Sequence, residues 1–239
     1  MTLLAAFSDV HANKHALDAV LEDIARRNAD GVICLGDLVG YGAFPNEVVA
    51  MIRANNIPTV AGNYDDGVGF DREECGCAYI KPEDIERGDR SLRWTQQAVT
   101  AENKAWLRSL PRELRIDIGG KRVLCVHGSP RRINEYLYED RPERSLARML
   151  SGLEADVVLC GHTHLPYHRR IGAVDLINVG TAGKPKDGDP RACYALIEIA
   201  TEVKATFPRV GYDAEAAAKA IEATELPHEF AEVLRTGGR

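Results

Sequence analysis

The sequence predicts an α/β fold, and three observations support this prediction. Apolar runs of strand length alternate with helical patterns through the first sixty residues, which is typical of a parallel sheet. Polar clusters directly follow several of these runs, at the positions where α/β sheets bind ligands. The 239 residues include 45% hydrophobic and 28% charged side chains, which is enough apolar material for a sizeable core.

Three apolar runs in the first sixty residues are predicted strands, at positions 3–7, 32–35 and 57–60. Between the first two, apolar residues recur at helical spacing, at Leu17, Val20, Leu21 and Ile24. Asn13 is placed to cap this helix and Gly31 to end it.

A second helix is predicted to begin at Pro45, because proline is favoured in the first turn of a helix. Its buried stripe would consist of Val48, Val49 and Ile52. The order strand, helix, strand, helix, strand favours a parallel arrangement of the three strands.

Residues 66–112 interrupt this alternation and are predicted to form a cap-like insertion over the edge of the sheet. The insertion contains two short helical patterns, which include Trp94 and Trp106. It is too short and too polar to bury much surface alone, so residues 1–239 are predicted to form one domain. We expect the tryptophans to anchor the insertion, although stacking on a nucleotide base is the open alternative.

The second half of the chain is predicted to be rich in strands. A hairpin pairs residues 116–118 with residues 123–126 through Gly119 and Gly120, and residues 157–160 form another strand. Further patterns follow, namely a hairpin near 172–173, strands at 195–199 and 203–207, and a helical tail from about 213.

Composition and charge argue against several classes of protein. Thirty Lys and Arg against 36 Asp and Glu give a net charge of −6, so a nucleic-acid partner is not expected. No apolar stretch approaches the roughly 20 residues that a membrane span needs, and the chain start lacks the pattern of a signal peptide. The six cysteines lie mostly in apolar runs, which indicates reduced core thiols and favours a cytoplasmic location.

Five polar clusters follow predicted strands, and they contain four of the seven histidines of the chain. The clusters are Asp9-Val10-His11, Gly36-Asp37, Gly62-Asn63-Tyr64-Asp65, His127-Gly128 and Gly161-His162-Thr163-His164. Because ligands of open α/β sheets lie outside the carboxyl ends of the strands, we expect these clusters to converge in one crevice.

The clusters contain the side chains that a pair of divalent metal ions requires. Oxygen is offered by Asp9, Asp37 and Asn63, and imidazole nitrogen by His11, His127, His162 and His164. Such a mixed set favours Mn, Fe, Zn or Ni over Mg or Ca. The Asp-x-His and His-x-His spacings point both side chains of each pair in one direction if the segment is extended. A single cluster would be an ordinary polar turn, whereas five in this order indicate a metal centre.

The order of the clusters resembles that of the calcineurin-like metallophosphoesterases, and of their small bacterial phosphodiesterases in particular. The pattern of that family is Asp-x-His, Gly-Asp, Gly-Asn-His-Asp or Gly-Asn-His-Glu, His-Gly, and Gly-His-x-His. The resemblance spans about residues 1–200 and includes Asn178-Val179-Gly180-Thr181, which is similar to the Asn-Pro-Gly-Ser turn of the family. It implies an αββα sandwich, in which two packed mixed β-sheets are flanked by helices.

The resemblance also implies two divalent transition-metal ions and their ligands. One ion would be held by Asp9, His11 and His164. The other would be held by Asn63, His127 and His162. Asp37 would bridge the ions and hold the hydroxide that they share. This hydroxide would attack phosphorus, so the implied activity is hydrolysis of a phosphodiester or polyphosphate bond in a small substrate such as a nucleotide.

One position departs from the family pattern. Most members have a histidine after Gly-Asn, where this chain has Tyr64 beside Asn63 and Asp65 in the expected catalytic block. A tyrosine, with an ordinary pKa of about 10, is a poor proton donor to an alkoxide, but it can donate a hydrogen bond to a phosphate oxygen. We therefore expect a preference for diesters or polyphosphates over alkyl monoesters.

Two groups of residues near the clusters allow more than one interpretation. Basic residues that could bind a substrate phosphate are Arg131, Arg132, Lys184, Lys186 and Arg191, although solvated surface is the simpler role for most. Cys75 and Cys77 could bind a metal, but no second pair of cysteines lies nearby in the sequence.

Two alternative functions stay open at the level of sequence. Some members of the family are nucleases, which the acidic net charge of this chain disfavours. A retromer subunit has lost metal ligands on the same fold and binds other proteins, whereas every ligand position is filled here. No pattern in the sequence indicates an oligomeric state.

Overall fold

Two mixed β-sheets pack face to face in the computed structural model, which describes residues 1–238. In chain order the strands are β1 (Thr2–Phe7), β2 (Gly31–Cys34), β3 (Glu113–Ile118), β4 (Lys121–Val126), β5 (Val157–Cys160), β6 (Tyr167–Ile171), β7 (Val174–Asn178), β8 (Ala192–Cys193), β9 (Ala195–Ile199), β10 (Val203–Thr206) and β11 (Arg209–Val210). In chain order the helices are α1 (Lys14–Arg26), α2 (Pro45–Ala54), α3 (Asn63–Gly69), α4 (Pro82–Ala98), α5 (Ala101–Ser109), α6 (Glu143–Leu150), α7 (Ala214–Glu222) and α8 (Glu229–Thr236).

Both sheets combine parallel and antiparallel pairs. The first has the strand order β10–β9–β1–β2, in which β1 is parallel to β2 and antiparallel to β9. The second has the order β3–β4–β5–β7–β6, with parallel inner strands and an antiparallel strand at each edge. A separate ribbon pairs β8 with β11. The expected pair of mixed sheets is therefore confirmed.

Alternate residues of each strand fill the space between the sheets, as the two-residue repeat of a strand requires. Leu4 and Ala6 of β1 belong to the same apolar cluster as Leu159 of β5 in the opposite sheet. Ala5 and Phe7 point the other way, into the cluster formed with the helices. One strand thus contributes to both the inner core and an outer core.

Helices cover the outer face of each sheet. Buried residues of α1, α2, α7 and α8 pack with the outward residues of β1 and β2. Leu146, Met149 and Leu150 of α6, a helix that the sequence analysis did not predict, pack on the outer face of the second sheet. The layers therefore follow the order helix, sheet, sheet, helix that the family resemblance implied.

The first helix begins as predicted, but its end differs. The Oδ1 atom of Asn13 accepts a hydrogen bond from the Ala16 amide at 3.1 Å and caps α1. The helix ends at Arg26, whereas Gly31 is the first residue of β2. The predicted end was wrong because the chain reverses earlier, at Asn28, which adopts a left-handed φ of 53°.

The third predicted strand, at residues 57–60, was also wrong. Thr59 forms a single β-bridge with Cys34 and no longer ladder within residues 1–238. The ladder cannot extend toward the start of β2 because Pro58 has no amide hydrogen. It cannot extend past the end of β2 because the chain turns there at Gly36, with φ 88°.

The two predicted helical patterns of the insertion are confirmed as α4 and α5, and α3 is a third helix that precedes them. α3 packs against α4 and α5, and α4 packs against α2. Trp94 and Trp106 are partly buried against the apolar cluster beneath these helices. Because α3 begins at Asn63, the start of this helical segment holds one of the predicted ligands.

The later strand and helix predictions agree with the structure. β3 and β4 pair across the Gly119–Gly120 turn, and β6 and β7 reverse at Gly172 and Ala173. The helical tail consists of α7 and α8, which pack on each other. Within residues 1–238, no helix is both long enough and apolar enough to cross a membrane.

The inner core yields a test of the packing between the sheets. Ile197 of β9 is fully buried between them, so Ile197→Ala should reduce the free energy of unfolding by about 2–5 kcal/mol, through lost burial and a cavity. Ile80→Ala is the control, because Ile80 is 92% exposed and its truncation should change stability by less than about 0.5 kcal/mol. Urea unfolding measures both, and equal effects would contradict the packing described.

Candidate metal centre

The seven predicted ligands lie together where strands of both sheets end. Each follows a strand or begins a helix: Asp9 and His11 follow β1, Asp37 follows β2, Asn63 begins α3, His127 follows β4, and His162 and His164 follow β5. All seven are buried, with at most 4% of the residue surface exposed. The expected convergence of the five clusters is therefore what the structure has.

Asp9, His11 and His164 form the first ligand group. Asp9 Oδ1 lies 3.2 Å from His164 Nε2 and 3.7 Å from His11 Nε2. The two imidazole nitrogens are 3.3 Å apart. One carboxylate oxygen and two ring nitrogens thus surround a common point.

Asp37, His127 and His162 form the second ligand group. His127 Nε2 lies 3.4 Å from Asp37 Oδ2 and 3.2 Å from His162 Nδ1. Asn63 Oδ1 joins the group at 3.0 Å from His127 Nε2. This set of one carboxylate, one amide oxygen and two imidazoles matches the donor preferences of transition metals.

Asp37 lies between the two groups. Its Oδ2 atom is 3.4 Å from His127 of the second group and 3.7 Å from His11 of the first. Its other oxygen, Oδ1, accepts a hydrogen bond from the Tyr64 amide at 2.8 Å, which fixes the carboxylate. The Asp37 carboxylate is therefore close to both groups.

Backbone carbonyl groups orient three of the imidazole rings. The Nδ1 atoms of His11, His127 and His164 lie 3.1, 2.8 and 2.5 Å from the carbonyl oxygens of Val39, Leu35 and Lys184. A carbonyl oxygen only accepts hydrogen bonds, so each Nδ1 donates, and in a neutral ring Nε2 then presents its lone pair to the centre. Metal-binding histidines are commonly oriented in this way.

Lowered pKa values keep two of the four imidazole rings unprotonated. Burial, with the charge of His127, lowers the pKa of His162 to about 2. Burial, with the charge of Lys186, lowers the pKa of His164 to about 4. Both imidazoles are therefore neutral near pH 7 and able to bind a cation.

Two observations show that the residues fit bound cations. Asp9 Oδ1 is buried and has no hydrogen-bond partner, which is costly for a charged oxygen in the interior. In addition, burial opposes protonation of His127, yet Asp37 raises the pKa of His127 to about 10. The centre therefore attracts positive charge, and a cation would satisfy the facing Nε2 atoms of His11 and His164.

The backbone is strained at the same positions. Five predicted ligands have left-handed φ angles, namely Asp9 at 55°, His11 at 48°, Asp37 at 54°, His162 at 65° and His164 at 67°. Such a conformation costs about 1–3 kcal/mol for a residue other than glycine. Strain concentrated on chemically active side chains is typical of a functional site.

Two glycines allow the loops to approach closely. A Cβ atom on Gly62 would lie 2.1 Å from Asp37 Oδ1 and 2.2 Å from its amide nitrogen. A Cβ atom on Gly161 would lie 2.3 Å from Ser8 Oγ and 2.7 Å from Asp9 Oδ2. Any other residue at these positions would therefore push the ligand loops apart.

Asp65 ties the second ligand group to the end of β2. Its oxygens accept hydrogen bonds from the amides of Asp37 at 2.8 Å, Leu38 at 2.9 Å and Gly62 at 2.9 Å. Burial, with the nearby charge of Asp37, raises the pKa of Asp65 to about 7. These contacts place Asp65 behind the ligands, as a support for the loops.

The ring of Tyr64 packs edge-on against a ligand of the first group, with its centroid 5.6 Å from that of His11. The residue is fully buried, and its hydroxyl has no hydrogen-bond partner. Burial raises the pKa of this hydroxyl well above its ordinary value. Tyr64 is therefore neutral, and its ring packs beside the first ligand group.

The turn at residues 178–181 holds two ligand loops together. Asn178 donates hydrogen bonds to the Gly161 carbonyl at 2.7 Å and to Thr163 Oγ1 at 3.0 Å. Thr181 Oγ1 donates to the Asp9 carbonyl at 2.8 Å. The turn thus connects the loop after β1 to the loop after β5.

The predicted phosphate-binding residues differ in their charge environment. Arg131 forms an ion pair with Glu135. Burial raises the pKa of Glu135, but hydrogen bonds from Arg131 and other neighbours lower it to about 2. Arg132, Lys184 and Lys186 have no acidic partner among residues 1–238. Lys184 Nζ lies 4.3 Å from the ring centroid of Tyr41, beside the first ligand group.

Several residues around the centre were not expected from the sequence. Tyr41 packs on His11, with ring centroids 4.8 Å apart, and Tyr136 packs on His162 at 4.0 Å. Neither tyrosine lies in a recognisable motif. Asn63 contacts the Cys75–Cys77 segment. The Cys-x-Cys spacing was visible in the sequence, but its location beside Asn63 was not.

The chain matches a family model over most of its length and a relative over nearly all of it. Residues 1–202 match the calcineurin-like phosphoesterase superfamily domain. An uncharacterized protein of Methanocaldococcus jannaschii is 34% identical over 254 residues, covering 99% of this chain and 98% of that protein.

Two solved structures have the same overall fold. A metallophosphoesterase from Sphaerobacter thermophilus has 32% sequence identity and a TM-score of 0.79, with 99% of each chain covered. A hypothetical protein from Pyrococcus horikoshii has 23% identity and a TM-score of 0.86, covering 100% of this chain and 99% of that chain. The first is similar in both sequence and fold, and the second shows the fold alone.

The position of Asp37 predicts the effect of removing its charge. Asp37→Asn keeps the shape of the side chain but removes the shared anion, so bound metal should fall from two ions per chain to one or none after dialysis against zinc. Elemental analysis of the dialysed protein measures this. Asp117→Asn is the matched control, because Asp117 is exposed on β3 and should leave the metal content unchanged. Full occupancy in Asp37→Asn would contradict the shared-ligand arrangement.

Proposed function

This chain belongs to the calcineurin-like phosphoesterase superfamily, and we propose that it hydrolyses a phosphodiester or polyphosphate bond in a small phosphorylated substrate. The observation on which this proposal depends is the pair of ligand groups with Asp37 between them. A nucleotide would be a suitable substrate. Within the family, the small bacterial phosphodiesterases are the proposed nearest functional class.

We propose that the centre holds two divalent transition-metal ions, with Mn, Fe, Zn and Ni as the suitable metals. The first ligand group would hold one ion, the second group with Asn63 would hold the other, and Asp37 would be shared. Such ions would supply Lewis acidity at the phosphoryl oxygens and a water of lowered pKa. The protein then needs no nucleophilic side chain of its own.

Basic side chains beside the centre support a phosphorylated substrate. Lys184 and Lys186 follow the turn that holds the Asp9 loop, and Arg132 follows His127. With no acidic partner among residues 1–238, these three can each donate to a phosphate oxygen. Arg131 is the weaker candidate, because Glu135 already neutralises it.

Tyr64 supports a preference for diesters. A hydroxyl whose burial raises its pKa keeps its proton, so Tyr64 would donate a hydrogen bond to phosphate rather than protonate a departing alkoxide. Substrates with a good leaving group need no such proton.

The six cysteines support a proposed cytoplasmic setting. All six are free thiols, and four of them lie in the apolar core. Reduced thiols persist in reducing compartments.

Hydrolysis of a chromogenic phosphodiester tests the proposed activity. The manganese-loaded protein should release the chromophore, and it should act on an alkyl phosphate monoester at least about tenfold more slowly, since Tyr64 is a poor acid. Asp37→Asn should lose the diesterase activity, whereas Asp117→Asn should retain it. An inactive wild type that binds no metal would instead support a protein-binding scaffold on this fold, and equal rates on both substrates would contradict the role of Tyr64.

The free lysines predict an effect on substrate binding. Lys186→Ala should raise KM for a nucleoside polyphosphate about tenfold with a smaller change in kcat, since a charge-assisted hydrogen bond is worth about 1.5–3 kcal/mol. Lys204→Ala is the matched control, because Lys204 is an exposed lysine on β10. Steady-state kinetics of the two variants decide the question, and an unchanged KM in Lys186→Ala would remove this residue from the substrate site.

A further inference from the structure

Cys75 and Cys77 lie against a proposed metal ligand. Their Sγ atoms are 3.2 Å apart, and Cys77 Sγ is 3.5 Å from Asn63 Nδ2. The same Asn63 nitrogen donates a hydrogen bond to the Cys75 carbonyl at 3.1 Å. Both cysteines therefore contact the amide end of Asn63, whose oxygen faces His127.

These contacts fix which way the Asn63 amide points. An amide has one accepting and one donating end, so a partner that holds Nδ2 directs Oδ1 to the opposite side. The Cys75–Cys77 segment holds Nδ2, and Oδ1 consequently lies 3.0 Å from His127 Nε2, within the second ligand group. A change in this segment would reach the metal ligand directly.

The turn between the cysteines is built to bring the two sulfur atoms together. Gly76 has a left-handed φ of 69°, and its carbonyl accepts a hydrogen bond from Asn134 Nδ2 at 3.1 Å. A Cβ atom on Gly76 would lie 2.5 Å from that nitrogen, so the position suits glycine. The sulfur atoms need to approach by only about 1 Å to reach the length of a disulfide bond.

The two thiols are also the most accessible in the chain. Cys75 and Cys77 are half-buried, and they lie next to the exposed residues Glu74 and Ala78. The other four cysteines, at positions 34, 125, 160 and 193, are at most 1% exposed. A small thiol reagent would therefore reach the pair before any core cysteine.

We propose that Cys75 and Cys77 form a site of reversible oxidation, at which a low-molecular-weight disulfide converts the two thiols into an intramolecular disulfide that releases the grip on Asn63. This inference rests on the proposed metal centre but not on the identity of the substrate. The proposed role of the Cys-x-Cys motif involves only its two thiols, whereas a metal site would need further ligands. No further His, Cys, Asp or Glu among residues 1–238 completes a metal-binding group with the pair.

The chemistry balances with oxidised glutathione as the oxidant. One cysteine thiolate attacks the glutathione disulfide, forming a mixed disulfide and releasing one reduced glutathione. The second cysteine then attacks the protein sulfur of the mixed disulfide and releases the other glutathione. Two protein thiols are oxidised and one disulfide is reduced. A disulfide that closes so short a loop is readily reduced again.

Oxidation would weaken the metal centre through Asn63. The bond draws Cys77 Sγ toward Cys75 and moves the carbonyl that holds Nδ2, so Asn63 loses its fixed orientation. Loss of such an outer partner typically lowers metal affinity or activity about 10–100-fold.

Zinc-loaded full-length protein tests the proposal, because zinc undergoes no redox chemistry of its own. After treatment with oxidised glutathione, intact mass should fall by two hydrogen atoms, and peptide mapping should place the disulfide between Cys75 and Cys77. Zinc affinity, measured by competition with a chelator, should fall at least about tenfold and recover with dithiothreitol. No disulfide at these residues, or a disulfide with unchanged zinc affinity, would overturn the proposal.

Two variants separate the pair from the other thiols. Cys75→Ser should stop at the mixed disulfide and gain the mass of one glutathione. Cys193→Ser, at a buried cysteine of β8, should oxidise as the wild type does. Loss of the disulfide in Cys193→Ser would contradict the assignment. Intact mass and zinc affinity are measured without a substrate. A protein with no hydrolase activity would therefore contradict the proposed function, whereas these two measurements would still decide whether the thiol pair controls metal binding.

Discussion

The arrangement of the centre depends on one electrostatic constraint, which is that buried lone pairs face each other with no hydrogen between them. Backbone carbonyls fix His11 and His164 so that their Nε2 atoms approach to 3.3 Å, and Asp9 Oδ1 lies beside them without a hydrogen-bond partner. Such a group is unfavourable unless a cation completes it. The proposed metal sites, and the proposed chemistry, follow from this constraint.

The sandwich of sheets supplies the rigidity that this constraint requires. Ligand loops leave β1 and β2 in one sheet and β4 and β5 in the other, so the packed inner core fixes their separation. Left-handed backbone at Asp9 and His162 is maintained because hydrogen bonds from residues 178–181 over-determine both loops. The fold therefore holds the strained side chains of the candidate metal centre in place.

Sequence patterns predicted most of the strands and helices and the five polar clusters, because strand ends and residue spacings are local features. The pairing of two mixed sheets was implied by the family resemblance instead. The end of α1 and the failed strand at residues 57–60 were missed, since a single left-handed residue and one proline outweighed the apolar pattern. Tyr41 and Tyr136 reach the centre only through tertiary contacts, which no local pattern encodes. Likewise, the Cys75–Cys77 spacing was visible in the sequence, but its contact with Asn63 depends on how the chain folds back.

Anomalous X-ray diffraction from crystals soaked in a zinc salt tests the central claim most directly, because it locates metal ions without relying on activity. The account predicts two peaks about 3.5–4 Å apart. One peak should lie within the group of Asp9, His11 and His164, the other within the group of Asp37, His127 and His162, with the Asp37 carboxylate between them. The absence of zinc from both groups, or a single peak far from Asp37, would contradict it.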